Sequence, residues 1–206
     1  MSAEGARTRN IAVGVTGASG AIYALRTLGA LLAQGCRVDV VFSDHGRRLF
    51  RDELGEGATP DRLEALLLER CGDEVRRGSF VIHHHRDQGA RLASGSQRCE
   101  GMVIVPCSMK TLAGVANGLS GNLIERAADV MLKEGRRLVL VPRETPLSLV
   151  QLRNMVACAE AGATILPAMP GFYHQPQSIE DLAAFVAGKI LSVLGFEQTL
   201  YPRWKD

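Results

Sequence analysis

The sequence predicts an α/β fold: a single domain built as a Rossmann-like open parallel sheet with helices on both faces. Three observations carry that expectation. Five short aliphatic runs, residues 11–15, 38–42, 102–105, 138–141 and 164–166, are continuous rather than alternating, the pattern of strands covered on both faces. Helix-length segments separate them and give the β-α-β-α rhythm of a parallel sheet. The 206 residues are 46% hydrophobic and 22% charged, with 22 Gly and 5% aromatics, which describes a globular chain with an aliphatic core and many tight turns.

Taken in order, the first run enters Thr16-Gly17-Ala18-Ser19-Gly20 and then a helical segment over 21–34. The second ends in Ser43-Asp44, a pair suited to starting a helix. Residues 51–79 are polar and punctuated by glycine, with a helix-length stretch only at 61–70. After the third run come Pro106-Cys107-Ser108-Met109-Lys110-Thr111, then Leu112, Ala113 and Val115 in helical spacing. Helices are expected over 122–133 and 146–160, on either side of the fourth run. Ser178 with Asp181 three residues on announces a last helix, whose stripe is Ile179, Leu182, Val186, Ile190 and Val193. One domain spans 1–206, with residues 1–10 a flexible N-terminus and 196–206 an irregular tail.

A formal net charge of +2, from 24 Lys plus Arg against 22 Asp plus Glu, supplies no field for a nucleic-acid backbone. The five cysteines are widely spaced and contain no C-x-x-C pair, which argues against a disulfide framework or a thiolate zinc site and for a reducing, cytoplasmic compartment. The apolar run at 11–15 is too short for a signal-peptide core, and no run approaches the ~20 residues of a membrane span. His83-His84-His85 lie consecutively, so on a strand they cannot all face one ion; a solvated or oligomer-facing patch is expected there and no metal.

Ligands of open α/β sheets bind outside the carboxyl ends of the strands. The small residues after the first run let backbone N–H groups approach an anion at a helix N-terminus, although a dinucleotide fingerprint would place glycine where Tyr23 stands; the turn also serves for close packing alone. Ser43 suits a phosphate monoester, and Ser43 and Asp44 equally suit a helix start. Ser108 and Thr111 can cradle a polar group, whereas Cys107 reads as a packed residue. Arg143-Glu144, pinned between Pro142 and Pro146, offers a proton-shuttling carboxylate and an anion-binding guanidinium, or a structural ion pair. The segment Pro170-Gly171-Phe172-Tyr173-His174-Gln175-Pro176 reads as a binding lip.

Together these motifs resemble the UbiX-type flavin prenyltransferases, within the flavin-binding cysteine-decarboxylase-like fold. The resemblance covers residues 11–204 and rests on TGASGAIY at 16–23, PCSMKTL at 106–112, NLIERAADVMLKE at 122–134, VPRETPL at 141–147, PGFYHQPQS at 170–178 and PRW at 202–204. It implies transfer of a dimethylallyl group from dimethylallyl phosphate to N5 of reduced FMN, followed by ring closure at C6, to make prenylated FMN for a UbiD-type decarboxylase. By the same resemblance Gly17, Ala18, Ser19, Ser43, Ser108, Met109, Lys110, Thr111 and Arg143 contact FMN. Tyr173, Lys189, Arg126 and Lys133 hold the prenyl phosphate. Glu144 and Ser19 form the proton relay for ring closure, Glu53 is another catalytic-site carboxylate beside them, and Trp204, on the tail that reaches the site, lines the prenyl pocket. A homo-oligomer, a dodecamer with sites between copies, is implied as well.

An aromatic face stabilises the allylic cation, and cations stabilise the leaving phosphate, so no metal is required. One departure stands out: position 189 carries Lys where the resemblance leads one to expect Arg, giving up fork geometry for a point charge and leaving monophosphate and diphosphate donors both open. Alternatives in other classes are an FMN-dependent cysteine decarboxylase, whose PASANT-like motif is missing, a flavin-binding accessory subunit of a decarboxylase, and an NAD-dependent oxidoreductase, which Tyr23 in place of the fingerprint glycine disfavours.

Overall fold

A computed structural model describes residues 8–202. Its elements are β1 (Asn10–Val15), α1 (Ala21–Ala33), β2 (Arg37–Phe42), α2 (Asp44–Leu54), α3 (Leu63–Cys71), β3 (Ser79–His84), β4 (Gly101–Cys107), α4 (Met109–Ala116), α5 (Leu123–Lys133), β5 (Arg137–Pro142), α6 (Leu149–Glu160), β6 (Thr164–Ile165) and α7 (Ile179–Val193). The strands form one parallel sheet in the order β3-β2-β1-β4-β5-β6. The order reverses direction between β1 and β4, which makes that crevice the topological switch point.

Alternation along each strand explains why the aliphatic runs are continuous. Val13, Val15, Val40, Val103, Val105 and Val139 face α1, α3 and α7, and bury against Leu28, Leu67 and Ile190. Ala12, Val41, Met102, Ile104 and Leu140 face the other way, under Leu112, Ile124, Ala127 and Cys158 of α4, α5 and α6. Both faces therefore need apolar residues at successive positions. The helices start on their own cap chemistry: Ser43, Ser108 and Asn122 accept from the backbone N–H three residues on, and Ser148 and Ser178 form capping boxes with Gln151 and Asp181.

Three expectations change. The sheet has a sixth strand, β3, within and beyond the polar stretch at 51–79. It is an edge strand paired only to β2, so its residues are half-buried in alternation and its SFVIHH sequence lacks a continuous aliphatic run. Residues 8–10 belong to the body of the domain rather than to a flexible N-terminus: Asn10 opens β1, and the Arg9 guanidinium lies 3.7 Å from the centroid of the Phe196 ring and donates to the Leu194 carbonyl at 2.6 Å. The helix expected over 146–160 begins only at Leu149, because the cap is Ser148. Among the described residues no helix is long and apolar enough to cross a membrane.

Candidate active site at the switch point

The turns after β1 and β4 are joined by one buried side chain. Thr16, 1% exposed, donates its hydroxyl to the Pro106 carbonyl at 2.8 Å and accepts from the Ser108 N–H at 2.7 Å. Ser108 in turn caps α4, accepting from the Thr111 N–H at 3.3 Å and donating to the Thr111 hydroxyl at 3.1 Å. Thr16 was legible in the sequence only as part of a turn; its position directly after a buried strand is the signal for a strut. Met109 and Lys110 follow in the first turn of α4, with Lys110 exposed.

Backbone runs close to backbone here. A Cβ on Gly17 would lie 2.5 Å from the Cβ of His45, so only glycine lets the β1 turn pass α2. His45 thereby joins the crevice, a neighbour that no motif indicates. Ser43 stands beside it, donating its N–H to the Val15 carbonyl and capping α2. Gly20 takes φ 113, a left-handed conformation that suits glycine alone. Small residues at 17–19 thus let this turn pack its backbone closely against α2.

The N-terminus of α1 has no side-chain cap of its own. Glu53, reaching over from α2, supplies it: its carboxylate accepts from the N–H groups of Gly20 at 2.9 Å and Ala21 at 2.8 Å. The anion favoured at that helix end is therefore a side chain of the protein, and a phosphate has the caps of α2 and α4 as the remaining helix starts. Arg143 reaches across from the end of β5 and donates from Nε to the Ser19 carbonyl at 3.1 Å. It also lies near Tyr23, whose phenol burial pushes up while Arg143 opposes that shift. Glu144 points elsewhere and accepts from the Thr145 N–H at 3.0 Å, so Arg143 and Glu144 are not each other's partners. Gly17, Ala18, Ser19, Ser43, Ser108, Arg143, Glu144 and Glu53 thus gather at one end of the sheet.

The lip at 170–176 joins the same end, since the chain after β6 continues alongside β5 through the Ala168 N–H to the Pro142 carbonyl at 3.0 Å. Tyr173 packs edge-on to Phe185, and the Lys189 ammonium lies 5.6 Å from the Phe185 centroid. Arg126 and Lys133 have other partners within the chain. Arg126 sits in the first turn of α5, whose Leu123 N–H donates to the His85 carbonyl just past β3, and is engaged by Asp129 at 2.7 Å and the Ala93 carbonyl at 3.2 Å; Lys133, at the far end of the helix roughly 10 Å along its axis, pairs with Glu134. The four cations Arg126, Lys133, Arg143 and Lys189 each have partners of their own among the described residues. Trp204 lies outside the described residues.

The remaining candidates are structural. Cys107 is fully buried, which pushes its thiol far above the ordinary range, and all five cysteines are free. His83 contacts the buried Asp39 at 2.8 Å, a carboxylate that also receives Arg91, while His85 contacts Asp44 at 3.3 Å. Among the described residues no group of three His, Cys, Asp or Glu could hold a metal ion.

Comparison with known proteins agrees with this geometry. A family model described as Flavoprotein matches residues 2–191. The flavin prenyltransferase UbiX of Alkalihalophilus pseudofirmus is 50% identical over 94% of this chain and 95% of its own length. That of Pseudomonas aeruginosa is 47% identical over 95% and 94%. Among solved structures, AnUbiX in complex with FMN and dimethylallyl pyrophosphate superposes with a TM-score of 0.87 at 40% identity, over 97% of this chain and 99% of that one. A dodecameric FMN-dependent UbiX-like decarboxylase from Escherichia coli gives 0.83 at 38% identity, over 96% and 99%. The cypemycin decarboxylase CypD, at 0.58 and 12% identity, shares the fold. With its switch-point crevice, its small-residue turn and these relatives over nearly its whole length, the chain belongs to the flavoprotein family and, within it, to the UbiX flavin prenyltransferases.

Proposed function

We propose that the chain transfers a dimethylallyl group from dimethylallyl phosphate to N5 of reduced FMN and closes a further ring at C6, delivering prenylated FMN to a UbiD-type decarboxylase. The observation that carries this is the convergence of the β1, β4 and β5 ends: Thr16 couples the first two turns, and Arg143 bridges to Ser19 beside Glu144 and Glu53. AnUbiX, with FMN and dimethylallyl pyrophosphate in its complex, supports the pairing of acceptor and donor.

Reduced FMN supplies the nucleophilic nitrogen and carbon. Gly17, Ala18 and Ser19 hold its ring against the backbone, with Arg143 at its polar edge. Ser43 and the segment Ser108, Met109, Lys110 and Thr111 offer hydroxyls and first-turn N–H groups to its phosphate and ribityl chain. Lys189 and the Tyr173 hydroxyl bind the departing phosphate, so the allylic C–O bond breaks with its electrons going to a neutralised oxygen and no metal ion is needed. Aromatic faces, Tyr173 and Trp204, stabilise the cation that develops. Glu144 takes the proton from C6, passed through the Ser19 hydroxyl, and Glu53 holds the turn that carries Ser19.

Arg126 and Lys133, near the two ends of α5 and engaged by Asp129 and Glu134 in their own chain, are assigned to the site of a neighbouring copy. A homo-oligomer, as in the dodecameric relative, follows, and Leu149, Val150, Leu152 and Val156 of α6 are exposed in a way that a partner would cover. A cytoplasmic location accords with five free thiols. The decisive test is anaerobic incubation of the purified chain with reduced FMN and dimethylallyl phosphate, reading flavin mass. Gain of one dimethylallyl unit is expected; an unchanged mass with flavin binding intact, for the monophosphate and diphosphate donors alike, refutes the transferase assignment.

A further inference from the structure

Phe185, on α7, is the centre of an aromatic group that joins the two side chains assigned above to the prenyl phosphate. Tyr173 meets its ring edge-on, with centroids 5.8 Å apart at 77°. Lys189 places its ammonium 5.6 Å from the Phe185 centroid and 5.9 Å from that of Tyr201. Tyr201 packs on Phe185 at 4.6 Å, and both rings are buried. The fourth ring is His174, which has no part in the chemistry proposed so far. Its imidazole lies flat on Phe185, 5.2 Å away at 9°, presents an edge to Tyr173 at 5.7 Å and 76°, and reaches Tyr201 at 6.0 Å.

Neither nitrogen of that imidazole has a hydrogen-bond partner among the described residues, although both are buried. A neutral imidazole carries one donor and one acceptor, and leaving both unpaired away from water is unfavourable. Hydrogen bonding therefore does not hold this ring in place; its faces and edges do. The backbone is bent to set it there, since the next residue, Gln175, takes φ 53, a left-handed conformation that a non-glycine residue adopts only when its surroundings enforce it. Among the described residues the charged groups beside the cluster are Lys189 and Asp181, both on α7; the Asp181 carboxylate is engaged by the Gln177 and Ser178 N–H groups at 2.8 and 3.1 Å.

We infer that His174 is a positioning residue for the allylic phosphate, acting through its ring rather than through its nitrogens: it wedges Tyr173 against Phe185 and so aims the Tyr173 hydroxyl at the same phosphate as the Lys189 ammonium. The inference rests on the assignment of Tyr173 and Lys189 to that phosphate. It is tested on the full chain loaded with FMN, by calorimetric affinity for dimethylallyl phosphate, together with turnover at saturation, FMN affinity and Tm. His174→Phe keeps a flat ring and removes both unpaired nitrogens, so donor affinity within about twofold of wild type and an equal or higher Tm are expected. His174→Gln keeps a donor and an acceptor but no ring, and is expected to weaken donor affinity by about fivefold to tenfold, with turnover at saturation and FMN affinity within about twofold. The opposite pattern, Gln tolerated and Phe not, overturns the inference, as does a His174→Gln chain with unchanged donor affinity or with an equal loss of FMN affinity. His174→Leu, which keeps volume without the flat ring, takes the place of the Gln variant if that one does not fold. Wild-type protein that binds dimethylallyl phosphate but yields no product would refute the transferase assignment and leave the affinity comparison intact; wild-type protein that does not bind it refutes both.

Discussion

Thr16→Val removes one hydroxyl and almost no volume, so it isolates the strut between the β1 and β4 turns. The side chain is 1% exposed, donates to the Pro106 carbonyl at 2.8 Å and accepts from the Ser108 N–H at 2.7 Å. Pro106 keeps a second partner, the Thr16 N–H at 3.2 Å, so its loss is a modest hydrogen bond of about 1 kcal/mol. The part-buried Ser108 N–H keeps none in the protein, and leaving it unpaired costs about 1–3 kcal/mol. The sum, about 2–4 kcal/mol, lowers Tm by roughly 4–16 °C at the scaling for a domain of this size. Thr16→Ser is the control: it keeps both hydrogen bonds and loses one buried methyl, about 1 kcal/mol. Because Ser108 also caps α4 beside the flavin crevice, FMN affinity falls in the Val variant by about tenfold or more, and far less in the Ser variant. Thermal unfolding and flavin fluorescence titration on the three proteins decide it. A Val variant as stable as the Ser variant, or one that binds FMN like wild type, refutes the strut.

Further outcomes follow from other parts of the site. Glu144→Gln is expected to bind FMN normally and to halt before ring closure, seen as an accumulating species in stopped-flow absorbance; full product at the wild-type rate shows that another base acts. Lys189→Arg replaces a point charge with a fork that matches phosphate, and dimethylallyl phosphate should bind more tightly by about threefold to tenfold in calorimetry. Burial, opposed by Asp44, pulls the His85 imidazole below its ordinary value of 6.5. The unfolded chain then binds that proton first, so stability is held above about pH 6.5 and lost as pH falls below it. The fall in Tm between about pH 7.5 and 5.5 should be shallower in His85→Gln than in wild type, and an identical slope would remove His85 from the acid response.

Local chemistry was readable in advance. Ser178 with Asp181, Asn122, Ser108 and Ser43 start their helices as the residues on either side of them suggest, because a cap involves only three or four neighbouring positions. Four of the five aliphatic runs became strands β1, β2, β4 and β5, in which burial on both faces writes itself into nearly every successive residue, and the fifth became the short, partly exposed edge strand β6. Strand β3 escaped because an edge strand with one covered face needs apolar residues only at alternate positions, and SFVIHH meets that need with Phe80 and Ile82 alone. The site residues were legible through motif resemblance, but their partnerships were not.

Those partnerships are long-range. The contact of Glu53 with the α1 N-terminus joins residues 33 apart in the chain, that of Thr16 with Ser108 joins residues 92 apart, and that of Arg143 with Ser19 joins residues 124 apart. No local pattern encodes such pairs, since the free energy that selects them comes from the sheet order that brings the ends of β1, β4 and β5 to one crevice. Composition and periodicity were enough to specify a doubly covered parallel sheet and, to within a turn, the start of the last helix. That Arg143 reaches Ser19, that Arg126 is engaged by Asp129 and the Ala93 carbonyl, and that His174 sits on Phe185 without a hydrogen-bond partner among the described residues became visible only once the chain was folded, because each depends on which surfaces meet after the strands have been ordered.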